Sequence, residues 1–183
     1  MHQRALRYRR KADAYNFIAG RLLLQKGLKD FEIADSIANI QLEEDGKPFL
    51  ESVFFNISHT SDRVICAISK KGRMGIDIER ETEVELENFE SFFTPTEWRS
   101  IRESAFPLQQ FYRYWTRKES IIKALGLKLS YLNQIQLDIE ADVFEENGKQ
   151  WYLKELDMGE GYFGAICSEV ELGAPVKIQN VVL

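Results

Sequence analysis

In Gly75-Ile76-Asp77-Ile78-Glu79 two carboxylates alternate with isoleucines. On a β-strand, residues i and i+2 share a face, so Asp77 and Glu79 would project together while Ile76 and Ile78 turn to a core. Paired carboxylates on a rigid strand suit a hard divalent cation such as Mg²⁺, which takes oxygen ligands. The same pattern also describes an ordinary half-buried strand with its polar face in water. In the stretch from Trp115 to Lys123, Glu119 and Lys123 stand one helical turn apart. They make either a surface ion pair worth about 0.2–0.5 kcal/mol, or a metal-ligating, proton-accepting carboxylate beside an ammonium that faces phosphate. Asn56-Ile57-Ser58-His59-Thr60 closes an apolar run with groups that hydrogen-bond an anion or finish a turn. Gly46-Lys47-Pro48 is a turn able to present a lysine. Arg4, Arg7, Arg9, Arg10 and Lys11 form a phosphate clamp or a solvated basic face.

Other chemistries are missing. The sequence has no Ser-His-Asp order, nucleophile elbow or Walker loop, and Gly72-Arg73-Met74-Gly75 lacks the spacing of a dinucleotide turn. Cys66 and Cys167 lie in apolar runs without CxxC spacing, which reads as two small buried hydrophobes. Hydrophobic residues make up 44% and charged residues 29% of the 183, a globular balance. The formal charge of −5 argues against nucleic acid as a partner. That charge is uneven: the eight Lys/Arg and single Asp of residues 1–29 give +7 and leave −12 for the rest. An anionic ligand near the N-terminus fits this distribution. The N-terminus lacks a signal peptide's apolar core, and no apolar run approaches the roughly 18 residues of a membrane span. A cytoplasmic protein acting away from membranes is expected.

The elements that must hold these residues follow from periodicity and punctuation. Tyr15, Ile18, Ala19, Leu22 and Leu23 give one apolar face to a helix over 9–26, stopped by Gly27. Strands are expected at Ile37–Leu42, Val53–Ile57, Val64–Ser69 and Met74–Glu79. A Glu-rich connector over 79–90 leads to Thr94-Pro95-Thr96-Glu97, a capping box with proline at the first helical position. A long helix over Leu108–Leu125 ends at Gly126. Strands at Ile135–Ile139, Gln150–Leu156 and Tyr162–Ser168 follow, the first two joined by an Asn147-Gly148 hairpin turn, with a last strand at Val176–Val182. The reading is an α+β pseudo-dimer: two similar halves, 1–80 and 81–183, each a long helix packed on an antiparallel sheet. The cleft would lie at their seam.

Taken in order, Asn56-Ile57-Ser58-His59, Gly75-Ile76-Asp77-Ile78-Glu79 and Trp115-Thr116-Arg117-Lys118-Glu119-Ser120-Ile121-Ile122-Lys123-Ala124-Leu125-Gly126 resemble the three signature blocks of the 4′-phosphopantetheinyl transferases, in their surfactin-synthetase-activating type. Gly46-Lys47-Pro48, Phe92-Phe93-Thr94 and Leu129-Ser130 also match family features. The resemblance implies a two-halved monomer that moves the phosphopantetheine arm of coenzyme A to a serine hydroxyl of an apo acyl or peptidyl carrier protein, releasing adenosine 3′,5′-bisphosphate. It implies that Asp77, Glu79 and Glu119 bind Mg²⁺, that Glu119 takes the serine proton directly or through water, and that Lys123 contacts the pyrophosphate and assists the leaving group. Lys47, Ser58, His59 and, by spacing, Arg4 would hold the nucleotide. Arg113, Arg117 and Lys118 are candidates for docking an acidic carrier. The chain departs from the family by starting later, which implies a missing first strand. It also has Ser61 for a glycine, Leu127-Lys128 for Lys-Gly, and Phe17 for a small polar residue near the nucleotide. The alternative is a binding module that holds coenzyme A or a carrier without turnover.

Overall fold

The computed structural model describes residues 8–43, 46–173 and 178–181. Arg4 and Arg7 lie outside them, as do Val176, Lys177 and Val182 of the expected strand over Val176–Val182; residues 178–181 form no strand. In chain order the elements are α1 (Lys11–Asp30), β1 (Gln41–Leu42), β2 (Pro48–Phe49), β3 (Phe54–His59), β4 (Val64–Ser69), β5 (Met74–Arg80), α2 (Pro95–Glu103), α3 (Pro107–Leu125), β6 (Val143–Glu146), β7 (Lys149–Leu156) and β8 (Tyr162–Ser168). All strand pairs are antiparallel: the hairpins β1–β2 and β3–β4, and a four-stranded sheet in the order β5-β8-β7-β6. The fold is α+β.

Helix α1 packs on β3–β4 through Leu24 and Leu28, against Val53, Phe55 and the half-buried Ile57 and Ile68. The apolar face read from the sequence is rotated. Tyr15 is 67% exposed, and the buried side runs through Gly20, Arg21, Leu24 and Leu28. Gly27 does not stop the helix, which continues to Asp30. A Cβ at Gly27 would stand 2.2 Å from the Ile68 side chain, so glycine is there for close approach of helix to strand.

Helix α3 lies across β5 and β8 over the larger core, which includes Phe111, Tyr114, Ile121, Ile122, Trp151 and Leu153. The capping box at Thr94 and Glu97 forms in full, and α3 ends on Gly126 in the left-handed conformation at φ 75°. The expected strand Ile135–Ile139 is absent. Ile135, Leu137 and Ile139 are each buried, but no strand pairs with them, and the Leu137 N–H donates to Glu97 Oε1 at 2.8 Å. The Asn147-Gly148 turn instead joins β6 to β7. The stretch expected as a strand over Ile37–Leu42 is a 3₁₀ turn followed by the two-residue β1.

The seam between the two helix-on-sheet layers is made by side chains. Strand β5 pairs with β8 on one edge and faces β3 on the other. Asn56, Ser58 and Thr60, alternating along β3 and just past its end, reach across. Asn56 Oδ1 accepts from the Ile76 N–H (2.9 Å), Ser58 Oγ donates to Asp77 (2.7 Å), and Thr60 Oγ1 accepts from the Arg80 N–H (3.1 Å). Strand β5 therefore belongs by sequence to the first half and by hydrogen bonding to the sheet of the second.

Candidate active site

The alternation on β5 holds as expected: Ile76 and Ile78 are buried, and Asp77 and Glu79 share the other face. Asp77 is only 3% exposed. Its Oδ1 accepts from Ser58 Oγ at 2.7 Å and from Lys123 Nζ at 2.5 Å, while its Oδ2 is buried with no protein partner. Lys123 reaches Asp77 from α3, and one turn earlier Glu119 Oε2 lies 3.9 Å from the same ammonium. Lys123 Nζ also donates to Ser58 Oγ at 3.1 Å. Residues from β3, β5 and α3 thus converge on one cation. Gly75 makes this approach possible, since a Cβ there would lie 2.1 Å from the Ser120 carbonyl oxygen and 2.4 Å from the Ala124 nitrogen.

The carboxylates sense one another. Burial, and then the negative charge of Asp77, push Glu79 up to about 7; its Oε2 accepts from Thr60 Oγ1 at 3.4 Å. Burial also raises Glu119, with Lys123 opposing that shift and Asp77 adding to it. Among the described residues no three acidic, histidine or cysteine side chains are gathered tightly enough to hold a metal ion. The donor chemistry still fits a hard cation. Three carboxylates lie within electrostatic reach, an orphaned carboxylate oxygen sits among them, and a lysine ammonium supplies the positive charge at their centre.

A cavity of about 300 Å³ opens beside α1, lined by Tyr8, Asp13, Asn16, Phe17, Arg21, Pro48, Ile57 and His59. His59 is exposed, with Asn16 Nδ2 3.4 Å from its Nδ1. Tyr8 and Phe17 form an aromatic pair at 5.6 Å, and the Arg21 guanidinium lies 5.3 Å from the Phe17 ring centre. Phe17 is therefore a wall of the cavity.

Lys47, expected at the nucleotide, directs its ammonium to the carbonyl oxygens of Lys123 (2.5 Å) and Ala124 (3.5 Å) at the end of α3. Of the expected docking residues, Lys118 is 1% and Arg117 3% exposed, and Arg113 is tied to Glu140 and Glu155. Lys118 ion-pairs Glu97 at 2.5 Å, and Glu97 also accepts from the backbone N–H groups of Thr94 and Leu137. This buried group, which braces the residue next to Glu119, was invisible in the sequence beyond its capping-box half. Cys66 and Cys167 are free, and burial pushes both thiols up to about 12, consistent with inert hydrophobes.

A family model described as the 4′-phosphopantetheinyl transferase superfamily matches residues 73–178, a stretch that holds Asp77, Glu79, Glu119 and Lys123. The chain is 34% identical to 4′-phosphopantetheinyl transferase gsp of Aneurinibacillus migulanus, over 91% of this chain and 73% of that protein. It is 29% identical to 4′-phosphopantetheinyl transferase Sfp of Bacillus subtilis (strain 168), over 91% of this chain and 79% of that protein. The crystal structure of the holo-[acyl-carrier-protein] synthase of Thermotoga maritima aligns with a TM-score of 0.36 at 17% identity, covering 52% of this chain and 61% of that one.

Proposed function

The chain belongs to the 4′-phosphopantetheinyl transferase superfamily, and from that premise we propose how its residues divide the work of moving phosphopantetheine from coenzyme A to a carrier protein. Asp77, Glu79 and Glu119 would hold Mg²⁺. Held there, Mg²⁺ would supply positive charge that offsets the negative charge of the pyrophosphate. Glu119 accepts the proton of the carrier's serine hydroxyl, directly or through a water. Its burial-raised affinity for a proton makes it a better base than an exposed carboxylate. The serine oxygen forms a new bond to the β-phosphorus of coenzyme A as the pyrophosphate P–O bond breaks, and adenosine 3′,5′-bisphosphate leaves with that electron pair. Lys123 faces the charge that develops on the leaving oxygen.

His59 and Ser58 hold the nucleotide end, with the cavity walled by Phe17 and Tyr8 taking its apolar face; Arg4 completes the phosphate contacts in this reading. The halves 1–80 and 81–183 act as one unit, joined through β5. We take the enzyme to be a cytoplasmic monomer, a setting that suits two free thiols. No helix among the described residues is long and apolar enough to cross a membrane.

The observation that carries the site assignment is the meeting of Asp77 from β5 and Glu119 from α3 within 4 Å of the Lys123 ammonium. Intact mass of an apo-carrier protein incubated with coenzyme A and Mg²⁺ tests it. The added phosphopantetheine mass is expected with the native chain, and its rate should fall by at least about a hundredfold in Asp77→Ala, Glu119→Ala and Lys123→Ala. Full activity in Asp77→Ala would overturn the assignment. Coenzyme A binding without transfer to fatty-acid-type or peptide-synthetase-type carriers would favour the binding-module alternative.

A further inference from the structure

We propose that Lys47 is a positioning residue: it fixes the last turn of α3 and, through that turn, aims the Lys123 ammonium at Asp77. This rests on the reading of Lys123 as catalytic given above.

An α-helix leaves its last four carbonyl oxygens without intrahelical donors. In α3 these belong to residues 122–125. The Ile122 oxygen accepts from the Gly126 and Leu127 N–H groups, the pattern of a left-handed glycine cap. The next two oxygens, of Lys123 and Ala124, accept from Lys47 Nζ. The donor comes from the turn between β1 and β2, 76 residues earlier than Lys123. A positive charge at a helix C-terminus also meets the negative end of the helix dipole.

The same turn is held by a second contact. Gly75 on β5 lies so close to the Ser120 oxygen and Ala124 nitrogen that no side chain fits between them. Strand and lysine together leave the backbone of residues 120–124 little freedom. Lys123 uses its oxygen toward Lys47 and its ammonium toward Asp77, so a shift at one end moves the other. The hairpin that carries Lys47 is anchored too: Glu43, at its other arm, pairs with Arg73 in the turn before β5 at 2.9 Å. One lysine thus ties the first half to the helix that carries Glu119 and Lys123.

The test compares Lys47→Met with Lys47→Arg in the full chain, by hydrogen exchange across residues 119–127 and by steady-state transfer with coenzyme A and with 3′-dephospho-coenzyme A. Lys47→Met should exchange about tenfold faster in this last turn, lower kcat by about tenfold or more, and leave the KM for coenzyme A within about twofold. The kcat loss should be the same with the dephospho substrate, and Lys47→Arg should recover most of it. Lys47→Gln, a milder change, is run alongside in case Lys47→Met does not fold, and should shift in the same direction. A loss confined to KM that disappears with 3′-dephospho-coenzyme A would make Lys47 a phosphate ligand and overturn the proposal. Unchanged exchange in the last turn would also overturn it. Faster exchange with undiminished kcat would show that the turn does not aim Lys123 and would overturn the proposal, while a transfer rate undiminished in Lys123→Ala would instead overturn the catalytic reading on which it rests.

Discussion

Glu79 and Lys118 show how burial turns ordinary charges into conditional ones. Glu79 is held near 7 chiefly by burial and next by the Asp77 charge. A carboxyl whose folded pKa is raised above its unfolded value stabilises the fold at low pH, and that contribution is lost as pH climbs from about 4.5 through about 7. The metal-free protein should therefore melt at lower temperature as pH rises across that window, and Glu79→Gln should flatten the trend in calorimetry. A metal ligand must also shed its proton, so Mg²⁺ affinity by titration calorimetry should rise toward pH 7 and level off above it; a pH-independent affinity would remove Glu79 from the ligand set. At Lys118 the buried partner decides the cost. Lys118→Met leaves the Glu97 charge without its counter-ion at 1% exposure, held only by the Thr94 and Leu137 N–H groups, and should cost about 3–5 kcal/mol in urea unfolding. The double variant Lys118→Met with Glu97→Gln should recover part of that loss. Residue types and spacing singled out Asp77, Glu79, Glu119 and Lys123, and the resemblance of their motif blocks to the 4′-phosphopantetheinyl transferases joined them into one expected site. They could not place Lys118, because an amphipathic helix pattern does not say which lysine finds a carboxylate on a neighbouring element.

At the scale of elements, the contacts that matter are between backbones. Gly75→Ala would drive a Cβ into the Ser120 carbonyl and the Ala124 nitrogen, and backbone atoms cannot rotate away as a side chain can. It should cost at least about 3 kcal/mol, the upper range for overpacking, and abolish transfer even where fold remains by circular dichroism. Thr94→Ala should cost only about 1 kcal/mol, since it removes one cap of α2 and leaves Glu97 its other partners. Local signals were legible where local chemistry decides: the capping box, the Gly126 cap, the Asn147-Gly148 turn. They failed where a distant partner decides. Gly27 resembled a stop signal, but it is small because Ile68 presses on it. Ile135, Leu137 and Ile139 alternate like a strand, since alternation records which side chains are buried. It does not record whether another strand offers its N–H and C=O groups, and here Glu97 answers for Leu137 instead.

Across the whole molecule the grouping of α1 with β3–β4 and of α3 with the later strands was legible, while the strand that crosses between the groups was not. Nothing in the pattern of Met74–Arg80 distinguishes a partner at β3 from one at β8. The structure divides β5 between them, with a backbone ladder on one edge and the side chains of Asn56, Ser58 and Thr60 on the other. Such an edge, blocked by side chains, offers no open row of donors to another molecule. At the far end of the seam, the Tyr162 hydroxyl donates to Asp62 at 2.7 Å and Arg63 stacks on the Tyr162 ring at 3.4 Å, joining the β3–β4 turn to β8. With this much shared structure, chemical unfolding should be a single transition that tryptophan fluorescence and far-ultraviolet dichroism report at the same midpoint, although all three tryptophans lie after residue 80. Two separated midpoints would show that the halves melt independently.

Strand β5 also sets an order of events during synthesis. Its ladder runs from Met74 paired with Ser168 to Arg80 paired with Tyr162. A ribosome makes Met74 long before Ser168, so the growing chain carries a β-strand with no neighbour on that edge while the acidic connector and two helices emerge. The half that comes out first can assemble α1 on its hairpin early, because those contacts are near in sequence. The site cannot form until Tyr162–Ser168 has been made, since β8 is the strand that fixes the strand bearing Asp77 and Glu79 in place.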